Sequence, residues 1–242
     1  YNQRTGLVWD IFQGPWLDHY WHLTETFVRE GYGRPDYLHT IGLGERLCFS
    51  DRTKNLQMKK DVLRKITDKA LSHCPDSKIF LAGWDFYFTW HPDEVRELIR
   101  TLDPKRDVIW DYEGDSTRDY REEMLDIGGN NFTKWGVKGK MPYTFGIFLC
   151  YESGLDMRAA YRLIEKRQQE IENDPMCKGY ILWPESSHTD TFALRYFTEN
   201  AWRADGKKTS EALLPAFCRD RYAGLGDETV RRFERVWRKV LP

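Results

Sequence analysis

Two glutamates stand out because each comes directly behind a stretch that must be buried. Glu45 closes the run YLHTIGLGE, and Glu185 closes YILWPE. A carboxyl just past a buried strand is partly desolvated, which raises its pKa and suits a proton donor at neutral pH. Gly42 and Gly44 ahead of Glu45 allow close approach by a ligand or neighbouring backbone. Ahead of Glu185, Pro184 fixes φ and removes an N–H, so the backbone beside the carboxylate is pinned. Two such carboxyls flanking one bond are what glycosidic cleavage requires: one protonates the leaving oxygen, the other attacks or activates water. The plainer alternatives are a Glu45–Arg46 surface ion pair, and a helix start near Ser186 and Ser187 with Glu185 beside its dipole.

Further candidates sit at other apolar run ends. AGWDFYFTWHP supplies Trp84, whose ring could floor a sugar subsite, and Asp85, which could accept hydroxyl hydrogen bonds, with Trp90 and His91 behind them. Helix-on-strand packing would account for these aromatics equally well. WDYEGDS offers Asp111, Glu113 and Asp115, while Trp183, Tyr151, Glu152 and His188 complete the set.

Buried strands must position these groups. Apolar runs at 6–12, 37–44, 78–86, 107–112, 141–150 and 177–183 alternate with amphipathic stretches at 16–30, 54–73, 92–102, 120–127 and 157–172. Near-continuous apolar strands between helices indicate a parallel sheet covered on both faces, either doubly wound or closed as a barrel. No GxGxxG or GxxxxGK[ST] follows any strand, which removes the nucleotide-binding reason for a doubly wound sheet. Acidic clusters at strand ends instead match a barrel, whose chemistry sits at the C-terminal ends of its strands.

The expected fold class is therefore α/β, a partial (β/α)8 TIM-type barrel of about five or six βα units. Residues 1–188 would form the C-terminal part of the barrel, its first strands lying upstream in the same polypeptide or on another one. Helical stretches at 189–200, 209–222 and 227–240 follow without intervening strands, so residues 189–242 read as the start of a helical domain.

Composition narrows the partners. The 242-residue chain is 40% hydrophobic and 31% charged with a formal charge of −1, so it can bury a core. It carries no basic footprint for nucleic acid and no polybasic stripe or 18-residue apolar run for a membrane. Ten Trp, 13 Tyr and 13 Phe are a large aromatic load. Aromatics fill cores, but indoles also stack on the C–H faces of sugars. Cys48, Cys74, Cys150, Cys177 and Cys218 are widely spaced, without a disulfide or zinc pattern.

These segments, taken in order, resemble the α-N-acetylglucosaminidases of glycoside hydrolase family 89, from about Phe12 to Gly224. GLGERLCFSD is similar to the family's Asn-Glu-Met-Gln-Pro-Pro segment, AGWDF to Gln-Gly-Trp-Leu-Phe, and GYILWPES to Gly-Met-Ala-Pro-Glu-Gly. TENAWRADG and AFCRDRYAG resemble the closing helical stretch. The resemblance implies a retaining exo-α-glycosidase acting on a carbohydrate substrate, with Glu45 as acid/base, Glu185 as nucleophile and Trp84 in the active site. It implies no metal and no cofactor, and a secreted, periplasmic or lysosomal setting. Gly44 stands where the family has Asn, and Tyr151–Leu155 replaces Asn-Phe-Gly-Gly-Asn. The reaction type thus follows more directly than the sugar. An α-glucuronidase-like enzyme using Arg46 or Arg118, or a non-catalytic carbohydrate-binding barrel, are the alternatives.

Overall fold

A computed structural model describes residues 12–40, 48–86, 90–112, 114–115, 131–149, 160–184, 190–203 and 206–241. Helix α1 (Trp16–Gly31) precedes strand β1 (Tyr37–Thr40), and α2 (Arg52–His73) leads to β2 (Lys78–Ala82). A 3-10 turn (Gly83–Phe86) and α3 (Pro92–Ile99) connect to β3 (Asp107–Trp110). Short α4 (Asn131–Lys134) precedes β4 (Tyr143–Ile147), and α5 (Tyr161–Ile171) precedes β5 (Cys177–Leu182). The chain continues as α6 (Thr191–Ala201), α7 (Ser210–Arg221) and α8 (Asp227–Val240).

Local chemistry sets several boundaries. Asp51 caps α2, its carboxylate accepting from the Thr53 and Lys54 amides at 2.8 and 3.2 Å. Asp190 caps α6 through the Phe192 and Ala193 amides at 2.9 and 3.1 Å. Pro92 opens α3, where a missing N–H costs nothing. The run 78–86 was expected as one strand, yet β2 stops at Ala82. The reason is at Gly83: a Cβ there would lie 3.0 Å from Asp111 Cα and 3.1 Å from the Trp110 carbonyl oxygen. Only glycine lets the two backbones touch, and the chain then winds into the 3-10 turn. The expected strand at 6–12 and helix at 120–127 lie outside the described residues.

The five strands form one parallel sheet in the order β1-β2-β3-β4-β5. This steady progression fits the expected barrel rather than a doubly wound sheet. A doubly wound sheet reverses its strand order at a switch point, and this sheet does not. Right-handed crossovers advancing always the same way put every helix on one face, as in a barrel wall. The sheet is thus an α/β, partial-barrel arrangement that is not closed among the described residues.

Alternation along the strands matches that geometry. Ile79, Leu81, Ile109, Tyr143, Phe145 and Ile147 point toward the helices and join Val95, Leu98, Ile164 and Phe132 in the core. This core runs on without a break into Phe192, Tyr196 and Phe197 of α6 and Leu213, Leu214 and Phe217 of α7. Each such side chain, fully buried, contributes about 1.5–3 kcal/mol. On the opposite parity, Tyr37, Phe80 and Trp110 line the other face, their rings 4.8 Å (Tyr37–Phe80) and 6.2 Å (Phe80–Trp110) apart. That face carries an aromatic surface where a barrel would have its interior.

Candidate active site

Parallel strands deliver all their C-terminal ends to one edge of the sheet, and the candidate residues collect there. Trp84 and Asp85 lie in the turn after β2, Asp111 and Tyr112 directly after β3, Phe148 after β4, and Trp183 after β5. Glu45 and Glu185 follow β1 and β5 in the sequence but lie outside the described residues, as do Glu113, Tyr151, Glu152, Arg46, Arg118 and His188.

The described aromatics form a slab of three near-parallel rings. Tyr112 lies between Trp84 (6.2 Å, 13°) and Trp183 (5.4 Å, 18°). Phe148 meets Trp84 edge-on at 5.3 Å and Tyr112 at 5.7 Å. Trp110 abuts Trp183 at 5.0 Å and meets His39 at 4.2 Å. Burial grades across the slab: Tyr112 is 3% exposed, whereas Trp183 is 39% exposed. Tyr112 therefore fixes the spacing and Trp183 offers an accessible indole face. Trp84 and Trp183 are legible singly in the sequence, whereas no motif marks Tyr112, Phe148, Trp110 or His39. Alternation was the available signal, since Val108, Trp110 and Tyr112 fall on one parity.

Asp111 is buried and its Oδ2 accepts from Asn131 Nδ2 at 3.4 Å. Asp85 is also buried, on the side of α2, within the field of Lys59. Burial pulls the Lys59 ammonium down to about 8, against the opposing pull of Asp85 and Glu94. Lys59 Nζ sits 4.3 Å from the Trp90 ring centre, a cation–π contact. Trp90 itself belongs to the helix-packed core, and the His91 amide donates to Glu94 Oε2 at 2.8 Å at the start of α3. Trp84, Asp111 and Trp183 are thus brought to one edge, while Trp90 and His91 serve the helix layer.

A backbone clamp ties the loops after β3 and β4 together. The Gly114 amide donates to the Gly146 carbonyl at 2.7 Å, and Arg167 Nη1 donates to the Gly114 carbonyl at 2.9 Å. Next to it, Asp115 accepts from the Phe148 and Leu149 amides at 2.8 and 2.9 Å. Leu149 is held at φ 47°, in the left-handed region that disfavours a branched side chain. Burial raises the Asp115 carboxyl above its usual range, and the two amides restrain that rise. Asp115→Asn keeps the shape but places an NH2 where an acceptor is needed. The expected result is a loss of about 1–3 kcal/mol of stability, read by urea unfolding. A wild-type midpoint would show that the clamp does not depend on the carboxylate.

No family model matches the chain, and no curated protein does. Solved structures do: the family 89 glycoside hydrolase from Clostridium perfringens, in complex with PUGNAc and in complex with 2-acetamido-1,2-dideoxynojirmycin. Each aligns over 93% of this chain with a TM-score of 0.58 at 12% identity. The chain spans 23% of the length of that enzyme chain. The likeness is one of fold, and it is to the family whose motifs the sequence resembles.

Proposed function

We propose that this chain is the C-terminal portion of the barrel of a glycoside hydrolase, a retaining exo-α-glycosidase acting on terminal α-linked N-acetylglucosamine or a related hexose. The observation that carries the reading is the fold shared over 93% of the chain with a family 89 glycoside hydrolase solved in complex with a compound that bears a 2-acetamido group. The aromatic slab supports it independently. A half-exposed indole at Trp183, two residues before Glu185 in the sequence, suits the C–H face of a pyranose. On this reading residues 189–242 begin the helical region that follows the barrel.

In the proposed reaction Glu185 attacks the anomeric carbon as the carboxylate, and Glu45 gives its proton to the departing glycosidic oxygen. A glycosyl ester on Glu185 results. Glu45, now ionised, takes a proton from water as that water attacks the anomeric carbon and displaces the Glu185 carboxylate. The sugar leaves with its original anomeric configuration, and both glutamates return to their starting states. The cycle consumes water alone and needs no metal or cofactor. Trp183 offers the ring a stacking face, backed by Tyr112 and Trp84, with Asp111, Glu113, Tyr151 and Glu152 as candidate partners of its hydroxyls.

The test is a panel of nitrophenyl α-glycosides offered to the full-length protein. Release of nitrophenol from the α-N-acetylglucosaminide or an α-hexoside is the expected result. Sugar-dependent tryptophan fluorescence without release from any member would instead identify a carbohydrate-binding barrel.

A further inference from the structure

The opposite edge of the sheet, where the strands begin, holds a cavity. It opens between α3 and the segment leading into β4, with a volume of about 260 Å³. Leu102 and Pro104 supply apolar walls, over a floor of the buried Trp135 and Met141. Three cations line it, Arg96, Arg100 and Lys140, and no carboxylate does so among the described residues.

The arrangement of charge on α3 explains how the cations come to be unmatched. Its acids Glu94 and Glu97 are drawn to Arg52 and Lys60 of α2. That leaves Arg96 and Arg100 to the other side of the helix. Arg96 is positioned: its Nη1 donates to the Lys134 carbonyl at 2.7 Å, and its stem runs past Gly136. A Cβ on Gly136 would sit 3.7 and 3.8 Å from Arg96 Cγ and Cδ. One nitrogen of the fork is thereby engaged while further donors stay available. Among the described residues, the side chains of Arg100 and Lys140 have no hydrogen-bond or ion-pair partner.

Three like charges around one apolar floor repel one another, and an anion among them removes that repulsion. A guanidinium fork recognises carboxylate or sulfate geometry in a way that water does not reproduce. A bare inorganic anion would leave the apolar surface of Leu102 and Pro104 uncovered. We infer that this cavity binds a small organic anion with an apolar body, an aryl or short alkyl carboxylate or sulfate. The head group sits between Arg96, Arg100 and Lys140, and the body lies against Leu102 and Pro104, over the buried Trp135 and Met141.

The probe is 8-anilinonaphthalene-1-sulfonate, followed by its fluorescence and by the methyl resonances of the five methionines in the 242-residue chain. Saturable binding should shift the Met141 methyl, identified by Met141→Leu, ahead of the other four. The double variant Arg100→Glu/Lys140→Glu should weaken binding by about tenfold or more with an unchanged Tm, the scale of one lost charge-assisted contact. N-phenyl-1-naphthylamine, the same body without the sulfonate, should bind more weakly by a similar factor. If the double variant loses its cooperative melt, Lys140→Gln at its exposed position gives the same reading with a smaller change. An unmoved Met141 methyl, wild-type affinity in the charge variants, or equal affinity for the neutral probe would each overturn the inference.

Discussion

Glu185→Gln, made in the full-length protein, should lower turnover of an aryl α-glycoside by several orders of magnitude. Glutamine has nearly the shape of glutamate but cannot ionise, so it keeps the packing and removes the nucleophile. The loss should be equally deep for good and poor leaving groups, because no ester forms with either. Glu45→Gln should behave differently. A nitrophenolate departs with little help from a proton, whereas an alkyl alcohol does not. The Glu45 variant should therefore lose more on an alkyl glycoside than on a nitrophenyl one, within the roughly 10²–10⁴-fold range of general acid catalysis. Undiminished turnover in either variant would remove that residue from the mechanism.

The second large effect concerns Tyr112, which no motif singled out. It is 3% exposed and stacks on Trp84 at 6.2 Å and on Trp183 at 5.4 Å. Tyr112→Ala takes the middle ring out of the slab and leaves a cavity the size of a phenol. A cost of about 3–5 kcal/mol is expected from burial and cavity alone. Intrinsic fluorescence should change as well, since two indoles lose the ring between them. Tyr112→Phe keeps both stacks and gives up only the hydroxyl, a loss of about 1 kcal/mol. Chemical denaturation of both variants separates the two cases. An alanine variant as stable as the phenylalanine one would mean the slab is not held by its middle ring.

The fold was legible where burial writes itself into composition. IFLA of β2 and YTFGI of β4 are apolar because a parallel strand under helices has no polar side to spare. Helix starts were harder to place. The expected starts at Lys54 and Thr189, with Ser186 or Ser187 as a cap, give way to Asp51 and Asp190 as the caps of α2 and α6. Strand ends were less legible, because Gly83 stops β2 through contact with the Asp111 backbone, which is distant in sequence. Helix α4 spans only Asn131–Lys134, too short for a helical period to register. Apolar runs alone do not separate a barrel wall from a doubly wound sheet; the acidic strand ends point to the barrel, and the strand order agrees.

The site divides in the same way. Trp84 and Trp183 could be found because each follows an apolar run and belongs to a type that sugars favour. Their meeting across Tyr112 could not, since the three rings come from three different strand ends and nothing local couples them. Asp85 illustrates the converse. In sequence it resembles a mouth-facing acceptor, and in space it is buried toward Lys59 of α2. A strand-end position fixes which edge a residue occupies, and the direction it faces depends on the turn that follows.

The central claim is that two glutamates, far apart along the polypeptide, face one sugar from opposite sides. A crystal structure of the full-length protein with a sugar-like inhibitor bound measures this directly. The expected result is Glu45 and Glu185 carboxyl groups about 5–5.5 Å apart across the anomeric centre, the separation of retaining enzymes. A separation of about 9 Å or more, or either carboxyl turned from the inhibitor into an arginine pair, would contradict it.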